Sequence, residues 1–388
     1  MWNKQRKNLG DRNIIRFQPV CYPIMSISVT PLTNLAIMDK IEIKGYKSFK
    51  DLTLYLNPIN ILIGSNGSGK SNFLSFFEFL NRMYEQKLTE YVAISGGVDK
   101  FFFQGSKVTD TIYANIKFQE NSYLIELKEG DGKFVLSKEC IGYNDDYYEI
   151  GHFNNESNIK SYNGLQRGDY IKRYLSEIKK YHFHDTGKSS PFTKESNITN
   201  DVYYLYEKGE NIAAFLYGIQ QNAPIVYKRI VKTIQSVAPY FSDFYFNVST
   251  SDTVRLLWTD KYSSTVYGPT DLSDGTIRFI ALATLFLQPN LPKVIIIDEP
   301  ELGLHPFAIQ KLSGMIKSAA AKGTQIIIAT QSADLISNFN AEDIITVNQI
   351  NGVSVMKRLE QDSLNAWLEE YTLGDLWKQN ILKGGQPL

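Results

Sequence analysis

Eight residues, GSNGSGKS at positions 64–71, have the composition and spacing of a phosphate-binding loop. They match the pattern G-x-x-x-x-G-K-[ST], and they lie between the apolar run INILI and a segment with apolar residues at helical spacing, the strand–loop–helix context that the pattern requires. Lys70 is expected to reach the β- and γ-phosphates of a nucleotide, and the hydroxyl of Ser71 is expected to bind Mg²⁺. The other residues expected to contact phosphate are Gly64, Ser65, Asn66, Gly67, Ser68, Gly69 and Asn72.

Two adjacent carboxylates follow a second buried strand. The run VIIID ends at Asp298 and is continuously apolar before it, as in a strand of a parallel sheet that is covered on both faces. Ligands of such sheets bind at the carboxyl ends of the strands, so Asp298 and Glu299 are expected beside the loop. Asp298 is predicted to hold Mg²⁺ through water and Glu299 to orient the attacking water, since phosphoryl transfer needs mainly positioning and charge neutralisation.

The two motifs together predict an Mg²⁺-dependent nucleotide hydrolase. ATP is favoured over GTP because the sequence has no Asn-Lys-x-Asp segment to read guanine. Lys plus Arg equals Asp plus Glu at 41 each, so charge alone does not attract DNA or an acidic membrane. Cys21 and Cys140 form no metal-binding or disulfide pattern, and no apolar run reaches the roughly 20 residues that cross a bilayer. A cytoplasmic location is therefore expected.

The strands and helices that must position these motifs predict an α/β fold. The segments IEIKGY, TIYANIKF, SYLIELKE and KFVLSKE alternate with period two and predict an antiparallel β subdomain, while KVIIID and TQIIIAT predict parallel strands of a mixed sheet. We expect four regions: a loosely ordered extension at 1–37, a first lobe at 38–150, an inserted α-rich lid at 151–240, and a second lobe at 241–388 that ends in a helix.

The stretch DLSDGT at 271–276 opens another apolar helix. Taken alone, it is a helix N-cap. Its order and spacing relative to the other two motifs resemble the signature loop of ABC-type ATPases, in which a serine and a glycine bind the γ-phosphate of ATP held by the other protomer. The corresponding residues are Ser273 and Gly275.

The segments MDKIEIKGYKSFKD, INILIGSNGSGKSN, LSDGT, IIIDEPELGLHP and IIATQS resemble the heads of the SMC and RecF group, and most closely the stand-alone bacterial ATPases of the RecF and OLD type. This resemblance covers the chain from Met38 onward and implies an ABC-type P-loop ATPase that closes as an ATP-sandwiched homodimer. ABC transporter subunits usually carry an Asp-Glu-Pro-Thr-x-x-Leu-Asp turn, which makes a transporter subunit the weaker alternative. The resemblance also implies that His305 is an interface residue rather than a metal ligand.

Two glutamine positions carry further expectations from the resemblance. The position after the IIIAT strand is often histidine in ABC-type heads, and here it is Gln331, whose amide can donate a hydrogen bond to phosphate but cannot carry a proton. We interpret Gln331 as a γ-phosphate sensor. The glutamine that couples the metal to the lobe interface is Gln104 or Gln119, and Gln104 is preferred.

Three other segments leave alternatives open. His182 and His184 in YHFHDTG either hold a metal or belong to a strand that enters the lid, and the strand is favoured because no second ligand cluster accompanies them. The tyrosine-rich run at 201–211 either stacks on single-stranded bases or packs within the lid, and packing is favoured. The segment at 371–382 is expected to form a terminal helix that docks on the head.

The resemblance further implies a partner. OLD-type relatives often carry a TOPRIM nuclease, and no segment after the Asp-Glu strand is long enough for one, so the expected role is regulation of a separately encoded effector, a nuclease in DNA processing or phage defence. The alternative is a RecF-like clamp whose grip on DNA is switched by ATP.

Overall fold

The computed structural model describes residues 38–382, which belong to one compact unit. The predicted extension at 1–37 lies outside the described residues. Among residues 38–382, the structure contains no helix that is both long and apolar enough to cross a membrane. The division of the chain into two lobes and a lid stays a prediction.

The first sheet is antiparallel, as the alternating segments predict. Its edge-to-edge order is β2-β1-β4-β5-β6-β7. Side chains on one face, such as Ile41 and Ile43, are fully buried, while their neighbours along the strand are partly or fully exposed. The strands are β1 Lys40–Tyr46, β2 Phe49–Tyr55, β4 Thr111–Phe118, β5 Asn121–Gly130, β6 Lys133–Tyr143 and β7 Asp146–Gly151.

The second sheet is mixed and carries the chemistry at its strand ends. Its order is β17-β16-β3-β15-β14-β8, and only β17 runs antiparallel to its neighbour. All five residues of β3 are buried because helices or the first sheet cover both faces. The strands are β3 Ile59–Ile63, β8 Ile178–Tyr181, β14 Val294–Asp298, β15 Gln325–Thr330, β16 Ile344–Ile350 and β17 Val353–Arg358.

Two cores lie on the two faces of the second sheet. Helix α1 fills the core between the sheets, where Phe73, Phe76 and Phe77 are fully buried. Helices α4 to α7 contribute to the other core. The helices are α1 Lys70–Tyr84, α2 Leu88–Ile94, α3 Gln166–Ser176, α4 Ile212–Asn222, α5 Pro224–Val237, α6 Asp274–Leu287, α7 Pro306–Ala321, α8 Ala333–Ile336, α9 Gln361–Leu368 and α10 Leu373–Lys378.

Part of the segment expected as an inserted lid lies inside the fold. Strand β8 pairs in parallel with β14, and α5 packs against α6 in the second core. The sequence IKKY does not predict this strand, because Lys179 and Lys180 interrupt its apolar pattern. Ile178 and Tyr181 are nevertheless buried. The segment therefore supplies an edge strand beside the Asp-Glu strand, which a separate arm would not do.

Shorter elements complete the described chain. Strands β9 Ser196–Asn197 and β11 Thr253–Val254 pair with each other, and β10 Phe241–Phe244, β12 Trp258–Asp260 and β13 Val266–Tyr267 form a three-stranded sheet. Helix α10 packs against α8, and Leu373 and Leu376 of α10 are buried there in the second core.

Candidate functional site

The glycine-rich loop joins β3 to α1 and packs against the hairpin of β16 and β17. Gly69 has a φ of 114°, and a Cβ atom there would lie 2.1 Å from Oγ of Ser354. The hydroxyl of Ser354 donates a hydrogen bond to the carbonyl of Ser68 over 2.6 Å, and its oxygen lies 2.8 Å from Oγ of Ser48, from which it can accept. This close approach requires glycine at position 69.

Lys70 lies within the loop that it is expected to serve. Its ammonium donates to the carbonyl oxygens of Gly64 and Ser65 over 2.6 and 3.0 Å. Burial lowers the pKa of Lys70, and the nearby carboxylates of Asp298 and Glu299 oppose that shift. No side chain caps the first turn of α1, so its backbone N–H groups are available to an anion, and the positive end of the helix dipole favours one.

The two carboxylates lie at the carboxyl end of β14, opposite the loop. Oγ of Ser71 is 3.5 Å from Oδ2 of Asp298. The pKa of Asp298 is raised by burial and next by the charge of Glu299, while Lys180, His184 and Lys70 lower it. A hydroxyl and a carboxylate on facing elements form a pair of hard oxygen donors, which suits Mg²⁺.

Gln331 connects the loop to the second carboxylate. Its side-chain amide donates to Oδ1 of Asn66 over 2.8 Å and to Oε1 of Glu299 over 2.9 Å. Glu299 has a left-handed backbone, with φ of 42°, and its N–H donates to the carbonyl of Ala329. One cavity is lined by the glycine-rich loop, the two carboxylates and Gln331: Asn66, Gly67, Gly69, Lys70, Ser71, Asn72, Asp298, Glu299 and Gln331.

The two candidate coupling glutamines are far apart in the fold. Gln104 lies in a left-handed turn and lines a neighbouring cavity, which shares Asn72 with the first one. Gln119 lies in the hairpin turn between β4 and β5, where its N–H donates to Asp39. Gln104 is therefore adjacent to the loop but not among the residues that line its cavity, and its role as a metal ligand stays a prediction.

The signature-like residues do not line this cavity. Ser273 is exposed and caps α6, accepting a hydrogen bond from the N–H of Thr276. A Cβ atom on Gly275 would lie 2.3 Å from the carbonyl oxygen of Gly303, so the turn packs closely on the loop that follows the carboxylates. Within one chain, Ser273 and Gly275 are thus separate from Lys70.

Arg278 of α6 links three segments that the sequence does not connect. Its guanidinium donates to the carbonyl of Leu302 over 2.7 Å and to the carbonyl of His184 over 2.9 Å. The imidazole Nε2 of His184 is in turn 2.9 Å from the carbonyl oxygen of Asp298. The sequence does not predict these contacts, because the carbonyl oxygens involved are backbone atoms that every residue has.

The remaining candidate side chains are not among the residues that line the cavity. Residues 38–382 include no group of three or more His, Cys, Asp or Glu side chains that could hold a metal. His182 and His184 lie just beyond β8, with ring centroids 4.4 Å apart. His305 caps α7 by accepting from the N–H of Phe307. Tyr203 and Tyr204 are exposed at the surface.

Comparison with known proteins identifies relatives of this chain. The Old nuclease of Escherichia phage P2 is 22% identical, with 83% of this chain and 61% of that protein aligned. The energy-coupling factor transporter ATP-binding protein EcfA2 of Lactobacillus delbrueckii subsp. bulgaricus is 27% identical over 28% of this chain and 37% of that protein. This chain thus spans less than two thirds of either relative.

Solved structures show the same fold. An SMC head bound to the C-winged helix domain of ScpA is 18% identical, with a TM-score of 0.53 over 84% of this chain and 99% of that one. An SMC head domain with an extended coiled coil, bound to the C-terminal domain of ScpA derived from Pyrococcus furiosus, gives a TM-score of 0.51 at 17% identity, over 86% and 98% of the two chains.

A family model covers most of the two sheets and the whole cavity described above. It is described as "AAA domain, putative AbiEii toxin, Type IV TA system" and matches residues 59–337. That span contains the loop, the carboxylate pair, the signature-like turn and Gln331. The chain therefore belongs to this AAA-domain family, and its fold is that of the SMC heads.

Proposed function

We propose that this protein is an Mg²⁺-dependent ATP hydrolase that works as a two-fold dimer with two ATP molecules held between the subunits. The observation that carries the proposal is the convergence of Lys70, the Asp298–Glu299 pair and Gln331 on one cavity. They offer a cation for the phosphates, an oxygen ligand for a metal and a carboxylate for water, the groups that phosphoryl transfer needs.

Ser71 and Asp298 are the residues that would hold Mg²⁺, because their oxygens already face each other across the cavity. A Mg²⁺ ion held by these two residues would neutralise charge on the phosphate oxygens. The catalytic role proposed for Lys70 is to exchange its two loop carbonyls for the β- and γ-phosphates. Both carbonyls are weaker partners for an ammonium than phosphate oxygens are.

Glu299 and Gln331 are proposed to act on the attacking water. The side-chain amide of Gln331 donates a hydrogen bond to Oε1 of Glu299. The other carboxylate oxygen is left to accept a hydrogen bond from the attacking water and then its proton. The same amide reaches the glycine-rich loop through Asn66. A γ-phosphate that replaced Asn66 as its partner would be sensed by Gln331 and coupled to the orientation of Glu299.

The signature-like turn is proposed to complete the site of the partner subunit. Ser273 is exposed at the N-terminus of a 14-residue helix, where the dipole favours an anion, yet it does not contribute to its own chain's cavity. A second subunit related by a two-fold axis would receive this turn at its γ-phosphate. ATP that binds both subunits at once shifts the population toward the closed dimer.

Mixing two inactive variants tests the shared site. Ser273→Asp keeps an N-cap side chain but adds a negative charge where the γ-phosphate is proposed to lie, whereas Glu299→Gln binds ATP without hydrolysing it. Each variant alone is expected to be inactive. In a mixed dimer, one site combines the intact Glu299 of one subunit with the intact Ser273 of the other, so activity should return. Inactivity, with mixed dimers demonstrated by native mass spectrometry, would exclude the shared site.

Dimer closure is proposed to regulate a separately encoded effector, a nuclease acting in DNA processing or phage defence. The support is the similarity to the phage P2 Old nuclease, of which this chain matches 61%. The test is co-purification of Glu299→Gln with a nuclease encoded by a neighbouring gene, with and without ATP. An ATP-dependent complex supports regulation. Salt-sensitive DNA binding by this chain alone, strengthened by ATP, would instead support a RecF-like clamp.

A further inference from the structure

Two loops carry the groups proposed to act on water, and one buried contact joins them. Glu301 follows Glu299 by two residues, and Thr330 immediately precedes Gln331. The hydroxyl of Thr330 donates to Oε1 of Glu301 over 2.5 Å. Both side chains are buried, Glu301 with 9% of its surface exposed and Thr330 with none.

The hydroxyl of Thr330 also holds the far side of Gln331. It accepts a hydrogen bond from the N–H of Ser332 over 2.9 Å. Ser332 caps α8 by accepting from the N–H of Leu335. Thr330, on one side of Gln331, therefore links Glu301 to Ser332 on the other side and to the start of α8.

The loop of Glu299 is fixed at the same point. The N–H of Leu302 donates to the carbonyl of Glu299, and the N–H of Leu304 donates to the carbonyl of Glu301, so the turn is internally bonded. Moving Glu301 would therefore move the backbone of Glu299. The side-chain hydrogen bond from Gln331 to Glu299 joins the same two loops as the Glu301–Thr330 contact.

We propose that Glu301 is a positioning residue of the hydrolytic site, which acts through Thr330 to keep the amide of Gln331 against the carboxylate of Glu299. The inference rests on the proposed hydrolysis of ATP. It requires a hydrogen-bond acceptor at position 301 and a hydroxyl at position 330, and it requires no negative charge on Glu301.

Matched variants separate this role from packing. Thr330→Val and Glu301→Met keep the volume and remove the hydrogen bond, whereas Thr330→Ser and Glu301→Gln keep it. The first pair is expected to lose kcat on the order of 10- to 100-fold with an unchanged KM for ATP, because a small displacement of catalytic groups costs rate rather than binding. Thr330→Ser and Glu301→Gln are expected to retain a kcat near the wild-type value.

Two further measurements make the result decisive. In a Gln331→Ala background, Thr330→Val should cause no additional loss of kcat, since both changes remove the same arrangement. Hydrogen exchange of the amides at 331–335 should be faster in Thr330→Val than in Thr330→Ser, whether or not the protein turns over ATP. Equal kcat or equal exchange in these two variants would overturn the inference. If the wild-type protein shows no ATP turnover that is lost in Lys70→Ala, the proposed hydrolysis is contradicted instead. The exchange rates would still test the Glu301–Thr330 contact in that case.

Discussion

The side-chain amide of Gln331 lies 2.9 Å from Oε1 of Glu299 and 2.8 Å from Oδ1 of Asn66. One amide therefore joins the glycine-rich loop to the carboxylate that is proposed to orient water. Since a carboxamide does not ionise at neutral pH, this link transmits position and not charge.

Replacing Glu299 with glutamine should separate ATP binding from hydrolysis. Hydrolysis is expected to fall by roughly 100- to 1000-fold, the size of effect seen when one preorganised catalytic group is removed. The amide oxygen at position 299 can still accept from Gln331, so the cavity keeps its shape. Light scattering with ATP should report a trapped dimer. A Lys70→Ala, Glu299→Gln double variant should stay monomeric, and a single variant that remained monomeric with ATP would contradict the sandwich.

Replacing Lys70 with alanine should weaken nucleotide binding. Lys70 is 6% exposed, and its ammonium donates to two loop carbonyls, which the phosphates are proposed to replace as its partners. Titration calorimetry with ATP should show an affinity at least about 10-fold weaker, because charge-assisted hydrogen bonds contribute about 1.5–3 kcal/mol each. Lys44→Ala, on the exposed face of the first sheet, is the control for loss of a lysine. Retained hydrolysis in Lys70→Ala would mean that the loop serves another purpose.

Two glycines of the loop should respond differently to alanine. At Gly69, a methyl group would meet Ser354, and the φ of 114° is strained for any side chain, so Gly69→Ala should lower stability by about 2 kcal/mol or more and weaken ATP binding. At Gly67, a methyl group would meet no atom within 4 Å, so Gly67→Ala should cost only about 1 kcal/mol through its positive φ. Denaturant unfolding compares the two, and equal losses would contradict the bracing by Ser354.

The stability of the protein should depend on the protonation of Glu301. Burial raises the pKa of Glu301 from its ordinary value of 4.5 to about 7, although the hydrogen bond from Thr330 opposes the shift. Between pH 4.5 and pH 7 the folded chain binds a proton that the unfolded chain has lost. The contribution of Glu301 to the free energy of unfolding is therefore full below pH 4.5 and falls by about 3 kcal/mol as the pH rises to 7.

Glu301→Gln isolates this contribution because it removes the titration and keeps an acceptor for Thr330. Its stability relative to the wild type should rise between pH 5 and pH 8, as measured by denaturant unfolding. Glu369→Gln, at an exposed position, controls for the loss of one charge. A Glu301→Gln difference that is constant across this range would show that Glu301 is ionised in the folded protein at every pH tested.

The elements that were predictable are those with an uninterrupted local pattern. Strand β4 follows the alternating run TIYANIKF over its full length, Thr111–Phe118, and β14 follows the apolar run that ends at Asp298. Strand β8 was missed because two lysines occupy half of its four residues. An edge strand pairs with a neighbour on one side only and often carries lysine, which weakens its apolar signal.

The site divides in the same way. The loop, the carboxylates and Gln331 were recognisable because each motif is contiguous, and the structure brings them to one cavity. Ser354, Arg278 and Thr330 were not recognised, because their partners are brought near only by tertiary folding and are mostly backbone carbonyls. No periodicity or spacing in the sequence records such contacts.

The contact of Ser354 with the glycine-rich loop also bears on how the protein is made. Ser354 and Ser68 are separated by 286 positions, and Ser354 lies beyond the residues matched by the family model. During translation the glycine-rich loop is synthesised long before Ser354, which braces it. The nascent chain therefore cannot complete this brace of the phosphate-binding loop until the β16–β17 hairpin has emerged, and ATP can stabilise the braced loop only after that point.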